Sequence, residues 1–198
     1  RLVSDRVELR SALSLARAGG GTDDRADTPA DTLGYYAFAS LDQVERATAD
    51  VRASARFGPL SSTVGAEVER QRQRSFSESL SQWGPSVGRS DHDRDNRAGY
   101  AHLTGARGPL AFAGGVRVED NERFGRSASW NMEAAWRLAP GTRVRASAGR
   151  GVKEPTFFEN FAEGWVRGNP ELEPERARSV DAGVEQELAG GRVRLGVS

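Results

Sequence analysis

The sequence contains no cysteine among its 198 residues, only two histidines and a single methionine. Without cysteine there is no disulfide framework, no thiolate zinc site and no cysteine nucleophile. His92 and His102 stand ten residues apart, which gives no histidine cluster suited to a metal. An excess of one charge sign is also missing. Lys plus Arg is 28 and Asp plus Glu is 28, so the formal net charge is zero. A nucleic-acid partner is therefore not expected, because such proteins carry a basic excess or stripe. No apolar run approaches the ~20 residues of a membrane-spanning helix. The glycine triplet Gly19-Gly20-Gly21 leads into Thr-Asp-Asp rather than a helix start, so it is not a phosphate loop. Asp91, Asp93 and Asp95 surround His92, but the run lacks the glycine and later glutamate of an EF-hand. Glu67 and Glu69 share one face of a strand and could imitate a glycosidase pair. Similar charges on other strands make a solvated wall the simpler account. No catalytic group, cofactor or metal site is expected, and no enzyme.

What the sequence does contain is alternation with a period of two, the mark of strands with one apolar face. Ala128, Trp130, Met132, Ala134, Trp136 and Leu138 alternate with Ser129, Asn131, Glu133, Ala135 and Arg137, and Pro140-Gly141 ends the segment. The same rhythm recurs at Val7–Ala16, Ala49–Phe57, Val64–Glu69, Phe112–Glu119, Arg143–Ala148, Ser179–Leu188 and Arg192–Val197. Residues 95–107 read as a strand with Ala101 and Leu103 outward and Tyr100 and His102 inward. About nine strands result. A mean hydropathy of -0.61 does not exclude a membrane protein, since a barrel strand is apolar on one face alone.

The connections differ in length. Gly58-Pro59, Gly108-Pro109, Ala139-Pro140-Gly141 and Ala189-Gly190-Gly191 have turn chemistry. Residues 19–40, 77–94 and 151–177 read as long polar links, and 121–126 as a short one. Short turns on one side and long loops on the other are expected of an outer-membrane barrel. Residues 42–57 and 60–76 also exceed the ~5–6 residues of an ordinary strand. Their charged outer parts (Glu45, Arg46, Arg70, Arg72, Arg74) fit segments that project clear of lipid. A soluble sandwich would alternate too, but a dry core at interior density needs more bulk than these Ala- and Val-rich faces supply. The sequence does not begin with Met and stops within an alternating run, so a piece of a longer polypeptide is expected.

Three stretches carry a family resemblance: Gly114-Gly-Val-Arg-Val-Glu-Asp-Asn-Glu-Arg-Phe-Gly125, Gly141-Thr-Arg-Val-Arg-Ala-Ser-Ala-Gly-Arg-Gly-Val-Lys-Glu-Pro-Thr156 and Gly168-Asn-Pro-Glu-Leu-Glu-Pro-Glu-Arg-Ala-Arg-Ser179. Residues 112–198 resemble the barrel of TonB-dependent outer-membrane receptors, most of all the vitamin-B12 transporters. That resemblance implies an all-β, antiparallel transmembrane β-barrel, of which residues 1–198 form part of a 22-stranded wall lacking its plug domain and C-terminal strands. It implies multi-pass residence in the Gram-negative outer membrane, contact with outer-membrane lipid, and active uptake of cobalamin. The alternatives are a ferric-siderophore receptor of the same family or a passive porin-like barrel. The partners implied are the TonB–ExbB–ExbD complex, reached through the plug, and a small-molecule ligand. The resemblance leaves room for calcium in the loops. Candidate ligand contacts in the external loops are Tyr35, Tyr36, Trp83, Phe157, Phe158, Trp165 and Arg167, although girdle or loop packing also explains these aromatics. Pro155, Pro170 and Pro174 are read as shaping the loop, because proline fixes its own φ and restricts the residue before it.

Overall fold

The computed structural model describes residues 2–3, 6–24, 37–164, 166–188 and 193–197. They form one antiparallel sheet in which every strand pairs with its neighbours in sequence. The strands are β1 (Leu2–Val3), β2 (Val7–Asp24), β3 (Ala37–Phe57), β4 (Leu60–Ser81), β5 (Gly84–Arg107), β6 (Leu110–Asn121), β7 (Gly125–Ala139), β8 (Thr142–Lys153), β9 (Glu175–Leu188) and β10 (Val193–Val197). The nine strands read from the sequence are β2 to β10, and the two-residue β1 is an addition. A five-residue helix, α1 (Phe157–Phe161), lies between β8 and β9.

The register assigns each residue a face. Asp50 pairs with Glu67, Glu67 with Ala98, Ala98 with Glu119, and Glu119 with Ser127. Directly paired residues share a face, so these line the polar side. The other side carries Leu13, Val51, Val68, Val116, Trp136, Val144 and Val184. Tyr100 and His102 fall on the polar side and Ala101 and Leu103 on the apolar one, as the alternation requires.

The apolar side packs against nothing. Among the described residues, Ala98 and Phe157 are the buried apolar side chains, while Leu13, Leu15 and Trp136 are 87%, 88% and 53% exposed. A sandwich would have sequestered these residues between two sheets. Here the sheet is a wall with an apolar outer surface and a charged inner one.

The apolar band has a definite upper edge. Apart from Arg107, which flanks the Gly108-Pro109 turn at the base, the first outward charge met on ascending each strand is Arg17 on β2, Glu45 on β3, Arg70 on β4, Arg97 on β5, Asp120 on β6, Arg126 on β7, Arg150 on β8 and Arg178 on β9. The hydrogen-bonded row through Arg178 runs by Arg150, Trp130, Val116, Ala101, Val64 and Ala53 to Leu9. Leu9 lies eight positions below Arg17, so the edge climbs eight residues over seven strand-to-strand steps. At ~3.3 Å per residue and ~4.8 Å per strand, a level edge requires strands tilted by about 38°. Transmembrane barrels tilt theirs by roughly 35–45°. The charge boundary and the backbone register thus agree on one membrane geometry.

The loop lengths needed correction. Residues 77–94 are not a long polar loop: β4 and β5 run through them and turn over two residues, with Ser81 paired to Gly84. Residues 19–24 continue β2, and 37–40 belong to β3. Above the lipid both faces can be polar, so the apolar alternation disappears while the hydrogen-bonded ladder persists. Outward ion pairs replace apolar contact there, with Arg72 bidentate to Asp91 at 2.7 and 2.8 Å and Arg70 paired with Asp93. Among the described residues the asymmetry between the two ends therefore lies in strand length and in residues 154–174, since both β4–β5 and β6–β7 close tightly at the upper end. At the base, Gly58 and Gly108 take φ of +58° and +59°, values suited to two-residue hairpin turns.

Candidate functional site

The inner face at the upper end is covered by the segment that joins β8 to β9. Glu154-Pro155 ends the β8 ladder, and Thr156 then caps α1. The Thr156 hydroxyl accepts from the Glu159 backbone N–H at 3.1 Å, and the Glu159 carboxylate accepts from the Thr156 N–H at 2.7 Å. This reciprocal arrangement is a capping box, which satisfies two helix-end donors. The chain then doubles back. The N–H of Gly168 donates to the carbonyl of Ala162 and that of Asn169 to the carbonyl of Glu159, both at 2.8 Å. Asn160, 1% exposed, donates its side-chain amide to the carbonyl of Asn169 at 3.0 Å. A Cβ on Gly168 would stand 2.4 to 2.6 Å from the backbone of Asn160, Phe161 and Ala162. Glycine in the Gly-Asn-Pro motif is therefore required by close backbone approach.

The folded loop is fastened to the strands beneath it. Arg94, on the inner face of β5, donates from Nη1 to the carbonyl of Pro155 at 2.9 Å and lies 4.7 Å from the centre of the Phe157 ring. His92, two residues away on the same face, stacks on Phe161 with ring centres 3.7 Å apart. Arg123 stands over the other part of the anchor, 4.4 Å from the Phe161 centroid, and donates to the carbonyl of Pro170 at 2.5 Å. Asn121 donates to Glu154 at 3.0 Å. Burial pushes the Glu154 carboxyl above the usual carboxylate range, against the opposing pull of Arg94 and Asn121. The two bonds from Thr156 hold Glu159 below that range.

Between this loop and the β3–β4–β5 extension lies a recess of about 470 Å³. Ser40, Asp42, Gln73, Ser75, Ser77 and Ser90 line it from the strands and Phe158 from the loop. Phe38, Leu80 and Val166 join Phe158 in giving it a larger apolar share, and its polar walls offer hydroxyls, an amide, carboxylates and the Arg89 guanidinium. Lower on the inner face the polar groups are tied to one another. Tyr100 donates its hydroxyl to Asp50 at 2.6 Å, and Arg117 bridges Glu67 and Glu119 at 2.6 Å each. Glu67 and Glu69 are thus wall charges: Glu69 accepts from Thr48 at 3.3 Å and pairs with Arg46 at 3.5 Å.

The candidate contacts are distributed unevenly. Phe158 is 55% exposed and borders the recess. Phe157 is 7% exposed and serves as the ring under Arg94. Trp83 sits at the tip of the β4–β5 hairpin, 80% exposed and away from the recess. Arg167 is exposed on the return limb of the loop. Tyr35, Tyr36 and Trp165 lie outside the described residues. The acidic run does not converge, because Asp91, Asp93 and Asp95 face outward toward arginines while His92 faces inward. Gly88, His92 and Arg94 were missed as site residues. Extending the even-numbered inward parity from Tyr100 back along β5 would have found all three.

Comparison with known proteins agrees with this architecture. Residues 5–198 match the family described as "TonB dependent receptor-like, beta-barrel". A 93-residue stretch is 32% identical to the vitamin B12 transporter BtuB of Photobacterium profundum, covering 46% of this chain and 15% of that protein. Among solved structures, the copper transporter OprC superposes with a TM-score of 0.71 at 18% identity, covering 93% of this chain and 34% of that one. The ferric yersiniabactin uptake receptor FyuA of Yersinia pestis gives a TM-score of 0.67 at 15% identity, covering 94% and 32%. The chain thus spans between about one seventh and one third of the length of these proteins. With the open sheet, the tilted apolar band and the family match together, the chain belongs to the TonB-dependent receptor-like β-barrel family.

Proposed function

We propose that these residues form part of the wall and outer mouth of an energy-coupled transporter that takes up cobalamin across the outer membrane of a Gram-negative bacterium. The observation that carries this reading is the recess at the mouth, walled by serine hydroxyls, Gln73 and Asp42 and roofed by the docked loop. Such a lining, apolar at Phe38, Leu80, Phe158 and Val166 and hydroxyl-rich along the serines, suits a large amphipathic solute. It suits an anionic ferric chelate less, because Asp24, Asp42 and Glu163 on its walls outnumber the one cation, Arg89, that lines it among the described residues. The 32% identity with a vitamin B12 transporter supports the same substrate. In this reading a plug domain fills the lumen, as in other large plugged barrels. The tied polar network of Tyr100, Asp50, Glu67 and Arg117 is the surface the plug would face, and the TonB–ExbB–ExbD complex would act on the plug.

The test is growth of a deletion strain of the source bacterium, complemented with the full-length gene. Restored growth under cobalamin limitation, with unchanged growth on ferric siderophores, is expected. Rescue confined to ferric-siderophore medium would replace cobalamin with an iron chelate. Rescue without TonB would make the protein a passive pore.

A further inference from the structure

Six of the eight residues at the upper edge of the apolar band are arginines, and they differ in how they are neutralised. Arg17 hydrogen-bonds Glu45 at 2.5 Å, Arg70 pairs with Asp93, Arg126 lies 3.5 Å from Asp120, and Arg97 is the direct cross-strand partner of that same Asp120. Arg150 and Arg178 have no carboxylate partner among the described residues. They are nonetheless direct cross-strand partners on β8 and β9, which brings their Cβ atoms to roughly 5 Å. Arg176 adds a third positive charge two positions higher on the same face of β9. Like charges placed directly opposite destabilise a strand pair. An anion seated between them would relieve that repulsion.

The position limits what that anion is. Directly below the pair, Ala148, Val180, Ala146 and Ala182 continue the outward apolar face. A ligand there meets hydrocarbon-facing residues below and guanidinium groups at the level of the headgroups. We propose that Arg150, Arg178 and Arg176 bind the phosphate headgroup of an anionic lipid in the outward leaflet, with its acyl chains against Ala148 and Val180. Arginine suits this task, since its planar fork meets phosphate through paired charge-assisted hydrogen bonds and is always charged. Basic clusters at a membrane surface bind anionic headgroups by the same electrostatics. The edge arginines on β2, β4, β5 and β7 each stand beside an outward carboxylate of a neighbouring strand, so the lipid site is placed on β8 and β9.

The experiment uses the full-length receptor, purified in detergent and reconstituted in phosphatidylcholine nanodiscs. A diphosphorylated glucosamine-disaccharide lipid, or its dephosphorylated form, is added as the probe, and retained lipid is measured by native mass spectrometry. The unmodified receptor is expected to retain the phosphorylated form and release the dephosphorylated one, a comparison that needs no variant. Arg150→Gln and Arg178→Gln are each expected to weaken retention about tenfold, as loss of one charge-assisted hydrogen bond implies. Arg126→Gln, whose arginine already faces Asp120, should change it little. Equal retention of both lipid forms, or retention unaffected by Arg150→Gln and Arg178→Gln, overturns the proposal. Both outcomes are independent of which solute the receptor transports.

Discussion

Replacing Gly88 by alanine is expected to release the loop that roofs the recess while leaving the barrel intact. Gly88 lies on the inner face of β5 beneath the loop, and a Cβ there would stand 2.2 Å from the Glu163 carbonyl oxygen. Both atoms are backbone-anchored, so the clash is relieved by moving the loop. Overpacking of this kind costs about 1–3 kcal/mol. On the other side stand the contacts that hold the loop down. The Arg94 bond to the Pro155 carbonyl is worth about 1.5–3 kcal/mol as a charged hydrogen bond. The Phe157 and Phe161 ring contacts add about 0.5–2 kcal/mol each. These gains are reduced by the entropy of ordering the loop. A penalty of similar size shifts the docked population by roughly one to two orders of magnitude, and apparent ligand affinity falls by the docked fraction. Gly99→Ala, on the outer face of the same strand with open space around its Cβ position, is the control. Limited proteolysis within residues 157–166 and equilibrium binding of cobalamin, the proposed solute, both on the full-length receptor, read the outcome. Unchanged proteolysis and affinity in Gly88→Ala would refute the idea that close packing of this loop builds the recess.

Three further outcomes are expected. Ala134→Arg, facing lipid, should impair folding into bilayers by about 2–4 kcal/mol if it lies near the midplane, whereas Glu133→Arg on the inner face should be much milder; equal effects in urea-monitored bilayer folding would mean the faces are misassigned. Thr156→Ala removes the cap of α1 and should weaken loop docking by about 1 kcal/mol, visible as faster proteolysis within 157–166 at unchanged barrel stability. The pH dependence of docking has two opposed arms. Glu154 is raised in the docked state, so docking gains as pH falls from neutral through its raised value toward the ordinary carboxylate value. Glu159 is lowered, so its contribution is present above the ordinary value and disappears as pH falls through the lowered one. Docking, followed by a fluorophore at Phe158→Cys, should therefore peak near the ordinary carboxylate value, and Glu154→Gln should abolish the arm above it.

The wall of this protein is legible in its sequence because a strand in a membrane obeys a local rule. Each residue faces hydrocarbon or water according to parity, so Trp130, Trp136, Val144 and Val184 announce the outer face without knowledge of any distant contact. Turn chemistry at Gly58-Pro59 and Gly108-Pro109 is equally local. The rule ends where the lipid ends. Above the row of first outward charges both faces are polar, the apolar signal vanishes, and residues 77–94 read as a loop although their backbone continues the ladder.

The site followed a different logic. That Phe157 is an anchor and Phe158 a lining residue depends on which side of a single helical turn meets Arg94, a residue 63 positions earlier in the chain. Proline positions disclosed that the 154–174 segment turns, but not that Gly168 must admit the backbone of Asn160 to Ala162, nor that Gly88 must admit Glu163. The sequence by itself determined strand number, facing and membrane character, because those follow from the solvent on either side of each strand. Only the tertiary structure decided the loop's seat, the pairing of inner charges and the unneutralised arginines of β8 and β9, because each depends on register between residues that are remote in sequence.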